Sequence, residues 1–201
     1  MKKSYKRLVI DTATKNIYLA LVIDDKEVES VYERGDNDHS VTIMPFLDSI
    51  LKKQNIGLKS IDEVIVGIGP GSYTGVRIGV TVAKMIGYLN DIVVKQVSSL
   101  ALMASHVKSA YVLPLIDARR GNAFMALIDT HGGLSYIKGD VLQNIETFKR
   151  DIDGDYEIVE SGKPDIIRIL QTDLCHVVKD IHALVPNYLQ ITEAERNLKN
   201  D

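Results

Sequence analysis

Two aspartates, Asp11 and Asp117, each close an apolar run and precede a polar turn. Carboxylates so placed could hold a magnesium ion for phosphoryl chemistry. Between them lies Gly69-Pro70-Gly71-Ser72-Tyr73-Thr74-Gly75-Val76-Arg77-Ile78-Gly79, within a stretch from Gly67 to Gly87 that holds six of the 14 glycines. It is not a phosphate loop of the G-x-x-x-x-G-K-S/T kind, and its glycine spacing does not fit G-x-G-x-x-G. It does set a glycine turn and two hydroxyls ahead of a helical pattern, where free backbone N–H groups attract anions. Gly71, Ser72 and Thr74 are therefore candidate anion or nucleotide contacts, while Ser72 or Thr74 could equally cap the helix. Arg77 and Lys84 are the only charged residues from 64 to 90, and are candidates for RNA or phosphate contact. His39, His106, His131, His176 and His182 contain no pair at i and i+4, and Cys175 is alone. No metal site is expected, and a single cysteine fits a reduced, cytoplasmic setting.

The elements that must position these residues follow from patterning. The chain has 201 residues and a formal charge of −3, which excludes a wholesale nucleic-acid coat. No apolar run is long enough to span a membrane, and the apolar run after the basic N-terminus is too short for a signal peptide. Leu8–Asp11, Ile17–Ile23 and Val28–Tyr32 read as strands, with Asp24-Asp25 as a hairpin turn. Ile43, Phe46, Leu47, Ile50 and Leu51 fall at helical spacing, with Pro45 expected to start or kink that helix. Val64–Ile68 reads as a strand, Val76–Leu89 as a helix, Ile92–Val97 as a strand and Leu100–Val107 as a helix. Strands recur at Ala110–Asp117 and Ala123–Asp129. Residues 143–165 carry seven acids against three bases and are expected to cover a solvated face. Ile166–Leu170 reads as a short helix, Tyr188–Ile191 as an extended segment and Thr192–Asp201 as a polar tail.

A shift of 106 residues lays Ile10-Asp11 on Ile116-Asp117, Asn16 on Asn122 and Ala20-Leu21 on Ala126-Leu127. Two hairpins can share such alternation by chance; read as duplication, the repeat gives two lobes, each led by a β-hairpin whose first strand ends in Asp. The expected fold is α/β, two-lobed and actin/hexokinase/Hsp70-like (ASKHA), with residues 1–108 and 109–201 as the lobes and the C-terminal tail returning to the first. In such folds the paired hairpins face a nucleotide. Here the first turn, Thr12–Asn16, has no glycine, the second is crowded by Arg119 and Arg120, and a late glycine pair is reduced to Ser161-Gly162. Asp11, Gly71, Ser72, Thr74, Asp117 and Gly162 thus form a degenerate nucleotide-site set, in which the aspartates can serve hairpin geometry through side-chain-to-backbone hydrogen bonds.

Gly75, Gly79, Ala83 and Gly87 recur every four residues along the glycine-block helix, while Ile78, Val82, Met85 and Leu89 occupy another, apolar face. Each interior glycine costs about 1 kcal/mol relative to alanine. Close backbone approach must offset that, either inside the lobe or across a subunit interface. The expected interface is Ile43, Phe46, Leu47 and Ile50 on one helix, with Gly75, Ile78, Gly79, Val82, Ala83 and Ile86 on the other.

The glycine block with Ala83-Lys84 and Val97-Ser98-Ser99-Leu100 strongly resembles the TsaB (YeaZ) family. Ile10-Asp11-Thr12-Ala13-Thr14, His39-Ser40, Asp117-Ala118-Arg119-Arg120 and Pro186-Asn187-Tyr188-Leu189 resemble its other blocks in order. The resemblance spans nearly the whole chain and is weakest over residues 140–180. It implies a non-catalytic subunit of the complex that forms threonylcarbamoyladenosine next to the anticodon of tRNA. The implied partners are the catalytic homologue TsaD and the ATPase TsaE, with a homodimer through first-lobe helices in isolation. It implies no required cofactor, with ATP or ADP at the heteromeric joint, tRNA met through the complex, and no membrane. The catalytic homologue's metal-binding His pair falls on about Ser99 and Met103 here, and neither can replace imidazole. Two enzyme readings stand beside it: an ASKHA-type ATPase or small phosphotransferase using Asp11 and Asp117, and, more weakly, a metal-dependent glycopeptidase.

Overall fold

The computed structural model describes residues 4–35 and 38–189. β1 (Lys6–Asp11), β2 (Asn16–Ile23) and β3 (Lys26–Arg34) form an antiparallel meander. Asp24 and Asp25 sit at φ +47° and +63°, the left-handed pair that a two-residue hairpin requires. α1 (His39–Lys53) crosses to β4 (Glu63–Gly67), parallel to β1, and α2 (Tyr73–Asn90) crosses to β5 (Val93–Val97), parallel to β4. After α3 (Ser99–Ala104) the plan repeats. β6 (Tyr111–Asp117), β7 (Asn122–Asp129) and β8 (Ser135–Asn144) make a second meander, and α4 (Ile145–Arg150) leads to β9 (Glu157–Val159), parallel to β6. α5 (Ile166–Leu170) precedes β10 (His176–Val177), which pairs with β5 and so lies in the first sheet.

The sheet orders are β10-β5-β4-β1-β2-β3 and β8-β7-β6-β9. Exchanging β1, β2, β3 and β4 for β6, β7, β8 and β9 maps the β4-β1-β2-β3 part of the first sheet onto the whole of the second, with β5 and β10 added only to the first. The chain therefore has the duplicated, hairpin-led, two-lobed architecture of the actin/hexokinase/Hsp70-like fold. The second copy is pared down: α4 has 6 residues where α1 has 15, and α5 has 5 where α2 has 18.

Alternation along the strands builds the layers, because successive side chains point to opposite faces. Leu8, Ile10, Leu19 and Leu21 face α1 and α2. Val9, Tyr18, Ala20 and Val22 face the other way, in one apolar cluster with α3, α5 and Val112, Phe124, Ala126 and Ile128 of the second sheet. Leu113, Leu115, Ala123 and Met125 close on Phe148 of α4. Every residue of α3 is buried, so this short helix is the hub between the sheets.

α1 begins at His39, six residues before Pro45, so of the two roles expected for the proline it does not start the helix but sits inside it. Pro45, Val41 and Met44 are exposed, so the donor the ring lacks is missing from the water-facing side. Residues 143–165 do cover a solvated face: six of the seven acids are exposed and only Phe148, Val159 and Pro164 are buried, while the segment folds into the end of β8, α4 and β9. Ile191 and the tail from Thr192 lie outside the described residues.

Candidate functional site

Asp11 ends β1 beneath α3 and is 7% exposed. Its Oδ1 accepts from Ser99 Oγ at 2.8 Å and from the Ala13 N–H at 3.1 Å, and Ser99 Oγ accepts from the Gly69 N–H at 3.1 Å. Burial pushes the carboxyl above the usual carboxylate range, against the opposing pull of these hydrogen bonds and of His39. Asp117 ends β6 but is exposed, and its Oδ1 accepts from the Arg119 N–H at 2.8 Å. Both aspartates thus receive the N–H two residues on, the hydrogen bond that shapes a hairpin turn. Arg119, Arg120 and Gly121 follow at φ +69°, +55° and +75°.

The cavity at Asp11 measures about 10 Å³, which is about one water. Asp117 does not line it. Tyr18, Tyr32, Met103 and Gly162 line it. Tyr32 Oη accepts from Asn16 Nδ2 at 2.7 Å and from the Gly162 N–H at 2.9 Å. A Cβ on Gly162 would enter the His106 ring, so this glycine serves a close contact and not an open floor. Tyr18 Oη donates to Glu27 at 2.8 Å, and Lys163 reaches Glu27 at 2.6 Å. Burial pushes the Glu27 carboxyl up, but hydrogen bonds from Lys163, Ser30 and Tyr18 outweigh it and hold the group below its ordinary range. These contacts latch β3 to residues 161–163.

The glycine block caps and packs. Ser72 Oγ accepts from the Gly75 N–H at 3.2 Å, and the Ser72 N–H donates to Ala13 O at 2.7 Å. A Cβ on Gly71 would strike the Ala13 carbonyl. Thr74 is exposed. Ser72 is the N-cap of α2.

The expected interface is corrected in its orientation. Gly75, Gly79, Ala83 and Ile86 are buried within the lobe, as are Ile43, Leu47 and Ile50. Thr12 Oγ1 donates to Gly75 O at 2.7 Å, and a Cβ on Gly79 would lie 2.5 Å from that same Oγ1. The small-residue stripe lets the α2 backbone sit on the first hairpin of its own chain. Phe46, Ile78 and Val82 are partly buried. The outer side carries Val41, Met44, Met85, Tyr88 and Leu89, each 48–71% exposed. Spacing showed two faces on the glycine-block helix, but which one met the sheet depended on Thr12, 63 residues away from Gly75 in sequence.

Arg77 and Lys84 are engaged by the returning chain. The Arg77 guanidinium lies 4.6 Å over the Tyr73 ring, and its Nε donates to Tyr188 Oη at 3.3 Å. Tyr73 and Tyr188 stack at 4.4 Å. Lys84 Nζ donates to His182 O at 3.0 Å and Leu184 O at 3.1 Å. Both cations clamp residues 182–188 onto α2, a role that sequence reasoning missed because nothing local marks it. No group of three or more His, Cys, Asp or Glu side chains that could hold a metal ion occurs among the described residues.

Residues 31–149 match the family model described as TsaD: tRNA N6-adenosine threonylcarbamoyltransferase. The chain is 30% identical to the tRNA threonylcarbamoyladenosine biosynthesis protein TsaB of Bacillus subtilis (strain 168), over 94% of this chain and 95% of that one. It is 35% identical to the protein of the same description from Escherichia coli (strain K12), over 59% of this chain and 53% of that one. Among solved structures it is similar to YeaZ from Pseudomonas aeruginosa, with a TM-score of 0.78 at 21% identity, over 92% of this chain and all of that one.

Proposed function

The chain belongs to the TsaB family, and from that premise we propose that it is a non-catalytic subunit of the assembly that forms threonylcarbamoyladenosine in tRNA. The observation that carries this reading is the filled cleft. Around Asp11 there is room for about one water, and the surrounding polar groups are engaged with one another. Magnesium-nucleotide chemistry needs a carboxylate open to metal and phosphate. Asp11 is sealed under Ser99, and Asp117 stands outside the cavity. Ser99 and Met103, about where the resemblance lays the catalytic homologue's metal ligands, offer a hydroxyl bound to Asp11 and a thioether on the cavity wall.

The working surface is the outer side of α1 and α2. Exposed apolar side chains concentrated there mark an interaction surface, not a folded core. We assign it to a TsaD-like catalytic homologue, with a TsaE-like ATPase joining the pair. In isolation the same face closes a homodimer, so homodimer and heterodimer exclude each other. ATP or ADP, where it binds, does so at the heteromeric joint, and tRNA is met through the complex. Arg77 and Lys84, already turned to residues 182–188, are poor candidates for RNA contact.

The test is reconstitution. The protein is mixed with TsaD-like and TsaE-like partners, and tRNA modification is scored with and without it. Full modification without this subunit contradicts the reading, as does turnover by this subunit alone.

A further inference from the structure

Exposed sulfur, among the described residues, is confined to the outer side of α1 and α2. Of the five methionines, Met44 of α1 is 48% exposed and Met85 of α2 is 56% exposed, whereas Met103 and Met125 are 4% and 0% exposed and Met1 lies outside the described residues. Met103 belongs to α3, every residue of which is buried, and Met125 packs with Leu113, Leu115 and Phe148 in the second lobe. Cys175 is half-buried, and burial pushes its thiol up to about 11, so little of it is the thiolate that reacts. A peroxide in solution therefore meets the thioethers of Met44 and Met85 first.

The reaction is a two-electron oxygen transfer. The thioether sulfur attacks one oxygen of hydrogen peroxide, an S–O bond forms and the O–O bond breaks. The other oxygen leaves as water, taking the proton that the transferred oxygen gives up. Sulfur is oxidised and peroxide reduced, with no further reactant. The product, methionine sulfoxide, is polar where the thioether was apolar, and dedicated reductases reverse it. On a helix that stays in water the new oxygen is hydrated and costs little. Met44 and Met85 lie instead with Val41, Tyr88 and Leu89 on the exposed apolar face of α1 and α2. Pairing through that face takes the sulfoxide oxygens out of water, and a polar group buried without a hydrogen bond is costly. A two-fold homodimer buries each of them twice.

We propose that Met44 and Met85 are sites of reversible peroxide oxidation and that their sulfoxides release this chain from its partners. The inference rests on the docking role assigned to the outer α1–α2 face. Oxidation takes place on the unpaired subunit, where both sulfurs face water, and pairing protects them.

The experiment treats the full chain with hydrogen peroxide, removes the excess, and reads self-association by analytical ultracentrifugation and the oxidised residues by peptide mass mapping. Met44 and Met85 are expected to gain oxygen at least about tenfold faster than Met103 and Met125, and more slowly as protein concentration rises. Self-association is expected to weaken by about tenfold or more, and to return after treatment with methionine sulfoxide reductases for both sulfoxide epimers. Met44→Leu combined with Met85→Leu keeps the face apolar at similar volume, so it is expected to pair as wild type does and to ignore peroxide. Should that variant not fold, the reversal by reductase in the wild type decides the matter. The proposal is overturned if Met103 and Met125 react as fast, if the oxidised wild type pairs as the reduced protein does, or if peroxide dissociates the double-leucine variant equally. Leu89→Glu, kept from peroxide, separates the two failures. If it pairs as wild type does, the docking role itself fails; if it loses pairing while oxidation does not, only the present inference fails.

Discussion

Replacing Gly79 by alanine separates an inward stripe from an outward one by the sign of its effect. On a solvent or subunit face, Gly79→Ala gains about 1 kcal/mol of helix propensity. In this structure the new Cβ would lie 2.5 Å from Thr12 Oγ1 and 3.6 Å from Ile10 Cγ2. Thr12 is fully buried, and its hydroxyl donates to Gly75 O at 2.7 Å. Rotating that hydroxyl away relieves the contact but leaves a buried donor and carbonyl unpaired, at about 1–3 kcal/mol. Keeping it in place displaces α2 from the sheet, an overpacking cost of about 1–3 kcal/mol. Either route exceeds or cancels the helix gain, so the expected net change is destabilisation by up to about 2 kcal/mol. Urea unfolding of the wild type and the variant at equal protein concentration reads it as a lower midpoint with an unchanged slope. Combining the variant with Thr12→Ala removes the obstructing hydroxyl, and the coupling in that cycle is expected to favour the double variant. A midpoint raised by the equivalent of about 1 kcal/mol in Gly79→Ala alone would refute the inward stripe.

Lys84→Met keeps the stem and loses the bonds to His182 and Leu184. Limited proteolysis is expected to cut residues 180–189 several-fold faster in this variant, while the rest of the chain resists. The Glu27 latch gives a pH signature. Its carboxyl is held below the ordinary range, so its contribution is present above about pH 4.3 and is lost as pH falls through the folded-state value. Glu27→Gln is therefore expected to lower stability near neutrality and to flatten the acid limb of the stability–pH curve, read by thermal melts from pH 3 to 7. Leu89→Glu puts a charge on a side chain that is 71% exposed. It is expected to leave the stability of the monomer within about 0.5 kcal/mol, as surface substitutions do. By light scattering or analytical ultracentrifugation, the same variant is expected to weaken self-association by about tenfold or more.

Local chemistry made much of the fold legible. Asp24-Asp25 predicts its hairpin because few residues tolerate two successive left-handed positions. The Asp11 and Asp117 turns predict each other through the 106-residue repeat, and the alternation beside them gives the strands. Ser72 was a candidate cap from its place before the helix. β8 was not foreseen. Its ladder with β7 carries register shifts, Gly139 interrupts it, and Ser135-Tyr136-Ile137 at its start are all exposed, so no clean alternation marks it. β10 is two residues long and exists only because β5 offers an edge. The state of the cleft was equally hidden. It depends on Tyr32 meeting Gly162 across 130 residues and on Lys163 meeting Glu27 across 136, and neither pairing leaves a periodic trace in sequence.

The central claim is that Asp11 holds a turn together and that the outer face of α1 and α2 does the protein's work. The most direct measurement compares Asp11→Asn with Leu89→Glu in the reconstituted tRNA-modification assay, with complex formation scored in parallel. Asn at position 11 can still accept from Ala13 and Ser99, so modification is expected to stay within about twofold of wild type, whereas Leu89→Glu is expected to lose pairing and modification together. An Asp11→Asn protein that assembles normally yet abolishes modification, or a Leu89→Glu protein that pairs and supports modification as wild type does, would contradict the account.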